Sequence, residues 1–137
     1  MNASDSGERR AVETSEAPAP IGPYSQALVA GDVLYCSGQV PLDPASGELV
    51  QGGIAEQARR CLQSLAAICH AAGTRLEDAA RMTIYLTAME DFPAVNEVYT
   101  EFFSEPFPVR STVGVAALPK GALVEIDATV PLGERQA

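Results

Sequence analysis

The sequence predicts an α+β fold in which a mixed sheet carries two helices on one face, with the elements in the order ββαβαββ. Three observations lead there. Apolar residues recur at helical spacing in two separate stretches, alternate at strand spacing in a third, and lie in short paired runs at both ends of the chain. Strands separated by helices imply parallel crossovers, while short connections imply antiparallel neighbours, so the sheet is mixed. Two helices are too few to cover both of its faces.

Taking the elements in order, residues 1–17 are polar and without periodicity, and read as a disordered tail. The single domain then spans residues 18–132, with 133–137 as a C-terminal tail. Two short apolar runs, 24–30 and 33–37, are joined at Gly31-Asp32 and predict a hairpin. Residues 41–53 are rich in proline and glycine and form a loop. From there Ile54, Ala58, Cys61, Leu65, Ile68 and Ala72 mark one face of a helix, and Gly73 supplies its left-handed stop. Arg59, Arg60, Gln63 and Ser64 fall on the opposite, solvated side.

Met82, Ile84 and Leu86 alternate with Thr83, Tyr85 and Thr87, the pattern of a strand. Asp91 is placed to cap a second helix marked by Phe92, Val95, Tyr99 and Phe102, and Pro106 and Pro108 prevent its continuation. Two strand runs, 110–117 and 123–130, complete the chain around a turn at Pro119, Lys120 and Gly121. Alternation places Val113, Val115, Val124, Ile126 and Ala128 on an apolar face. It places Arg110, Thr112, Gly114, Glu125, Asp127 and Thr129 on the other. A second face of such mixed character implies self-association.

Composition excludes several chemistries. With one histidine, one lysine and no tryptophan, the chain has little from which to build a Ser-His-Asp triad, a multi-histidine metal site or a lysine-rich phosphate cradle. His70 reads as a solvated helix end and Lys120 as a turn residue. A formal charge of −9 argues against nucleic acid or an anionic membrane as partner. There is no apolar run long enough for a membrane span and no secretory signal, which implies a cytoplasmic protein. The three cysteines, Cys36, Cys61 and Cys69, lack metal-ligand spacing and read as reduced thiols.

Charge within the last two strands is the exception that points to function. The Arg110 guanidinium offers a planar fork suited to a carboxylate, and a shielded Glu125 is able to handle protons near neutral pH. Together they indicate a site for a small carboxylic acid. A direct hairpin would hold the two charges ~17 Å apart at ~3.3 Å per residue, too far to share one small substrate. Either the last strand inserts elsewhere in the sheet, or the two residues meet across a subunit boundary.

Four segments in order, APAPIGPYSQA (17–27), SGQVPLDPASGEL (37–49), DFPAVNEVYTEFF (91–103) and PVRSTVGVAALPKGALVEID (108–127), make the chain similar to the RidA/YjgF family of reactive-intermediate deaminases. The resemblance implies a chorismate-mutase-like fold, with the last strand inside the sheet. It also implies a homotrimer with clefts between subunits, and hydrolysis of 2-imino acids of the 2-iminobutanoate and 2-iminopropanoate type to 2-keto acid and ammonia, without metal or cofactor. Carried over residue by residue, Arg110 holds the substrate carboxylate and Glu125 positions or activates water. Tyr24, Ser37, Gly38 and Asn96 match pocket positions, and Thr112 stands where many relatives have cysteine, with its backbone N–H still available to the carboxylate. The competing class is a non-catalytic keto-acid sensor or a chaperone-like trimeric scaffold; ribonuclease action, ascribed to some relatives, fits an acidic chain with one histidine poorly.

Overall fold

The structure is a computed structural model and describes residues 8–133. Eight elements position the site: β1 (Arg9–Val12), β2 (Ala27–Ala30), β3 (Val33–Gln39), α1 (Ile54–Ala71), β4 (Arg81–Leu86), α2 (Phe92–Tyr99), β5 (Val109–Gly114) and β6 (Val124–Pro131). The strands form one sheet in the order β1-β2-β3-β6-β4-β5. Only β4 and β5 are parallel neighbours, so the sheet is mixed. The last strand therefore lies at the centre, between β3 and β4, and not beside its predecessor.

Both helices pack on one face, where Leu34, Met82, Ile84, Val124, Ile126 and Val130 meet Cys61, Leu65 and Ile68 of α1 and Val95 of α2 in one buried cluster. α1 starts after Gly53, whose N–H donates to the Glu56 carboxylate at 3.0 Å, and stops at Gly73, where a φ of +85° admits glycine at no steric cost. Of the residues expected on its wet side, Ser64 is instead fully buried. It accepts from the Arg60 guanidinium at 3.3 Å, which supplies the partner a buried hydroxyl needs. α2 is shorter than the periodicity predicts, and Asp91 ends a 3-10 turn before it without capping it through its side chain. His70 is exposed in the last turn of α1.

The reading of residues 1–17 as a disordered tail does not hold for the described part of that segment. Arg9–Val12 pairs with β2 in antiparallel register, Arg9 against Ala30 and Val12 against Ala27. The segment after it is pinned by buried Gln26, which accepts from Thr14 N–H at 2.8 Å and donates to the carbonyls of Thr14, Ala17 and Pro18. A short edge strand is held by its backbone ladder, so its sequence carries no apolar alternation. The domain thus includes Arg9–Val12, whereas residues 1–7, and 134–137 of the expected C-terminal tail, lie outside the described residues.

The three cysteines are buried and unpaired. The Cys69 thiol beside it, followed by burial, pushes the Cys36 thiol up; burial does the same to Cys61. Both remain protonated members of the core.

Candidate functional site

Register places the two charged residues on opposite faces of the sheet. β4 carries Met82 opposite Arg110 and Ile84 opposite Thr112, and these partners share the helix-covered face. Glu125 lies opposite Tyr85 and Asp127 opposite Thr83, on the open face. The grouping of Arg110, Thr112 and Gly114 with Glu125 and Asp127 is therefore corrected, and Val113 moves from the apolar core set to the open face, where it is 40% exposed. Alternation assigns residues to faces within one strand; it cannot phase two strands that are not neighbours. Within one chain, Arg110 and Glu125 do not meet.

Each belongs to its own cluster. On the open side, Glu125 lines a cleft with Tyr24, Ser37 and Gly38, walled by Ile21, Val40 and Pro119. A β-bulge shapes it. Between Cys36, which faces Ala128, and Gln39, which faces Ile126, β3 has one residue more than β6, and the excess falls at Ser37 and Gly38. Gly38 is required by contact, since a Cβ there would lie 2.8 Å from the Cδ of Glu125. The carboxylate lies directly over the glycine.

Burial, and then the charge of Asp127, hold the Glu125 carboxyl above its ordinary range. Asp127 is itself fixed by Tyr85, whose hydroxyl donates to it at 3.0 Å. Ser37 donates its hydroxyl proton to the Ser25 carbonyl at 2.6 Å, leaving the oxygen lone pairs for a visitor. Tyr24 Oη accepts from Ile21 N–H at 3.2 Å, so its own proton stays available. One hydroxyl accepts and the other donates.

The second cluster lies at the free edge of the sheet. Arg110 extends from β5 under α2, half-buried, with its guanidinium carbon 5.5 Å from the centre of the Phe92 ring and 4.8 Å from that of Tyr99. Asn96 stands between those rings on the same helical face, at i+4 from Phe92 and i−3 from Tyr99. The backbone adds donors. Val109 N–H bonds Ala80 and Val115 N–H bonds Leu86, so the odd residues of β5 pair with β4. The N–H groups of Arg110, Thr112 and Gly114 consequently point away from the sheet, beside the guanidinium.

The site residues named from sequence thus form two groups: Glu125, Tyr24, Ser37 and Gly38 in one, Arg110, Thr112 and Asn96 in the other. Sequence reasoning missed Asp127 as the neighbour that raises Glu125, and Phe92 and Tyr99 as the rings around Arg110. Their helical spacing marked Phe92 and Tyr99 as core, which conceals a second use. Among the described residues no cluster of three His, Cys, Asp or Glu is placed to hold a metal ion, and no helix is long and apolar enough to cross a membrane.

The family model described as Endoribonuclease L-PSP matches residues 14–131. The chain belongs to the RidA/YjgF family. It is 50% identical over 121 residues to the RutC family protein y4sK of Sinorhizobium fredii, covering 88% of this chain and 96% of that protein. It is 46% identical over 125 residues to the 2-iminobutanoate/2-iminopropanoate deaminase of Capra hircus, covering 91% of each. Among solved structures, E. coli TdcF with bound serine superimposes with a TM-score of 0.84 at 38% identity, over 89% of this chain and 98% of that one. The fold of this RidA/YjgF member, with its last strand inside the sheet, is the one the resemblance implied.

Proposed function

We propose that the protein is a cofactor-independent imine deaminase that hydrolyses small 2-imino acids of the 2-iminobutanoate and 2-iminopropanoate type to 2-keto acid and ammonia. The observation that carries this reading is the division of one set of chemical roles between two surfaces. The Glu125 cluster handles water and protons but has no cation to hold an acid. The Arg110 cluster holds an acid but has no base. A homotrimeric ring, in which each copy sets its Arg110 edge against the open face of the next, completes three sites. The names of the deaminase relatives and the serine bound to TdcF support a small amino-acid-derived carboxylate as ligand.

In such a cleft the Arg110 fork and the outward N–H of Thr112 bind the substrate carboxylate, and this contact needs no thiol at position 112. The imine carbon is already electrophilic, so the task is to deliver water to it. Glu125 accepts a proton as the water oxygen bonds to that carbon. Glu125 returns that proton to the nitrogen of the tetrahedral adduct; the C–N bond then breaks, ammonia leaves, and the adduct's hydroxyl proton passes to Glu125 and on to solvent as the carbonyl forms. Burial, and then the charge of Asp127, raise the Glu125 carboxyl above its ordinary range, which makes its carboxylate a stronger base toward the incoming water. Tyr24 donates to the adduct's oxygen or nitrogen, and Ser37 accepts from the incoming water.

The test adds the purified protein to a dehydratase that generates imines from serine or threonine, and follows 2-keto acid and ammonia. Faster release that is lost in Arg110→Ala and Glu125→Gln supports the proposal. A folded wild-type protein that accelerates no precursor would remove it, and tight 2-oxobutanoate binding without turnover would favour the sensor.

A further inference from the structure

Arg110 is held by aromatic faces and by no anion. The ion pairs among the described residues are Arg59 with Glu101, and Arg75 with Glu77 and Asp78; Arg110 enters none of them. A guanidinium drawn out of water needs a charge or hydrogen-bond partner to offset its desolvation. Here its flanks are the rings of Phe92 and Tyr99, two helical turns apart on one face of α2. This difference has a chemical consequence. A resident carboxylate would occupy the fork and compete with an arriving acid, whereas a ring takes up the flat face and leaves the N–H donors at the rim unclaimed.

Tyr99 indicates which part of the side chain matters. It is 5% exposed, and its hydroxyl makes no hydrogen bond of full geometry; burial pushes the phenol up, while the neighbouring Arg110 charge and a marginal contact with that side chain oppose the rise. The principal contact with Arg110 is the ring, whose centre lies 4.8 Å from the guanidinium carbon. It rests against Phe103 with 4.4 Å between ring centres, which fixes the surface offered to the guanidinium. Phe92 closes the other end from the first turn of the helix.

We propose that Phe92 and Tyr99 are positioning residues: they hold the Arg110 fork open and oriented at the β5 edge, and so set the preference of the site for a carboxylate over an uncharged group of the same shape. This rests on the reading of Arg110 as the carboxylate grip, and the experiment separates the two. Calorimetry on the full-length protein measures binding of 2-oxobutanoate and of its neutral amide, 2-oxobutanamide, alongside kcat and KM in the imine assay. Replacing Tyr99→Leu is expected to weaken acid binding and raise KM by about tenfold, with amide binding and kcat unchanged. Tyr99→Phe restores the acid affinity because it keeps the ring. Phe92→Leu, at a half-buried position, gives a loss of about threefold in the same direction and decides the matter if Tyr99→Leu does not fold. Acid affinity unchanged in the folded leucine variants, or acid and amide weakened equally, overturns the inference. Arg110→Ala is the parallel arm. If it leaves acid binding intact, the grip itself is misassigned; if it abolishes acid binding while the leucine variants do not, only the role of the rings falls.

Discussion

Two inactive variants should restore one another if the site is shared between chains. Arg110→Ala retains an intact Glu125 cluster and Glu125→Gln an intact Arg110 cluster, and register places these clusters on opposite faces of the same sheet. In a ring assembled at random from equal amounts of both, a given boundary has one chance in two of receiving an intact arginine edge and one in two of an intact glutamate face. Mixing by co-expression, or by refolding the two together, should therefore return about one quarter of wild-type activity from two preparations that are silent alone. A second mixture sharpens the result. Wild type combined with the doubly substituted chain retains about one quarter of the activity per total subunit if boundaries carry the sites, and about one half if each chain carries its own. The assay is release of 2-keto acid in the coupled imine reaction, with native mass spectrometry, which resolves the lighter Arg110→Ala chain, to establish that the mixtures have exchanged. No recovery in fully exchanged rings would refute the division of labour, and with it the account of why neither cluster is chemically complete.

Further tests address single contacts. Asp127→Asn removes the negative neighbour that helps to raise Glu125, so the acidic limb of the kcat/KM profile should move to lower pH; a base with a raised pKa loses activity as pH falls through that value. The same raised pKa means that ionised Glu125 costs folding stability above its folded pKa, so Glu125→Gln should stabilise the chain at neutral pH while abolishing turnover, as read by thermal unfolding. Gly38→Ala drives a methyl group into the carboxylate and should lower kcat by about a hundredfold, the scale expected for displacement of a reacting group by an ångström, with little change in Tm. Gln26→Ala removes the four hydrogen bonds that pin residues 14–18 and should cost about 1–3 kcal/mol in urea titration.

The helices and interior strands were legible because each has one wet and one dry side, and the period of Ile54 to Ala72 or of Met82 to Leu86 reports that directly. Strand β1 was not: an edge strand lies mostly in solvent, and its polar Arg9 and Arg10 resemble a tail. β5 was misread for a related reason. Its helix-side residues are polar because aromatic rings seat a guanidinium there, while Val109 and Val113 are exposed on the open side, the reverse of the usual sense. The candidate site residues stood out by chemical type, since a charged group in a β-branched run needs a cause. Their distribution between two faces depended on which strands are neighbours, and sequence distance said only that a direct hairpin was impossible.

The central position of β6 bears on how the chain comes together. β3 and β4 precede β6 in the chain, so a growing polypeptide holds them with a gap between that only β6 can fill, and the hydrogen-bonded ladder stays split until that strand arrives. Glu125 rides on that keystone. A polypeptide truncated before it would lack both the middle of its sheet and the carboxyl of the candidate site, which ties assembly of the open-face cluster to the arrival of this one strand.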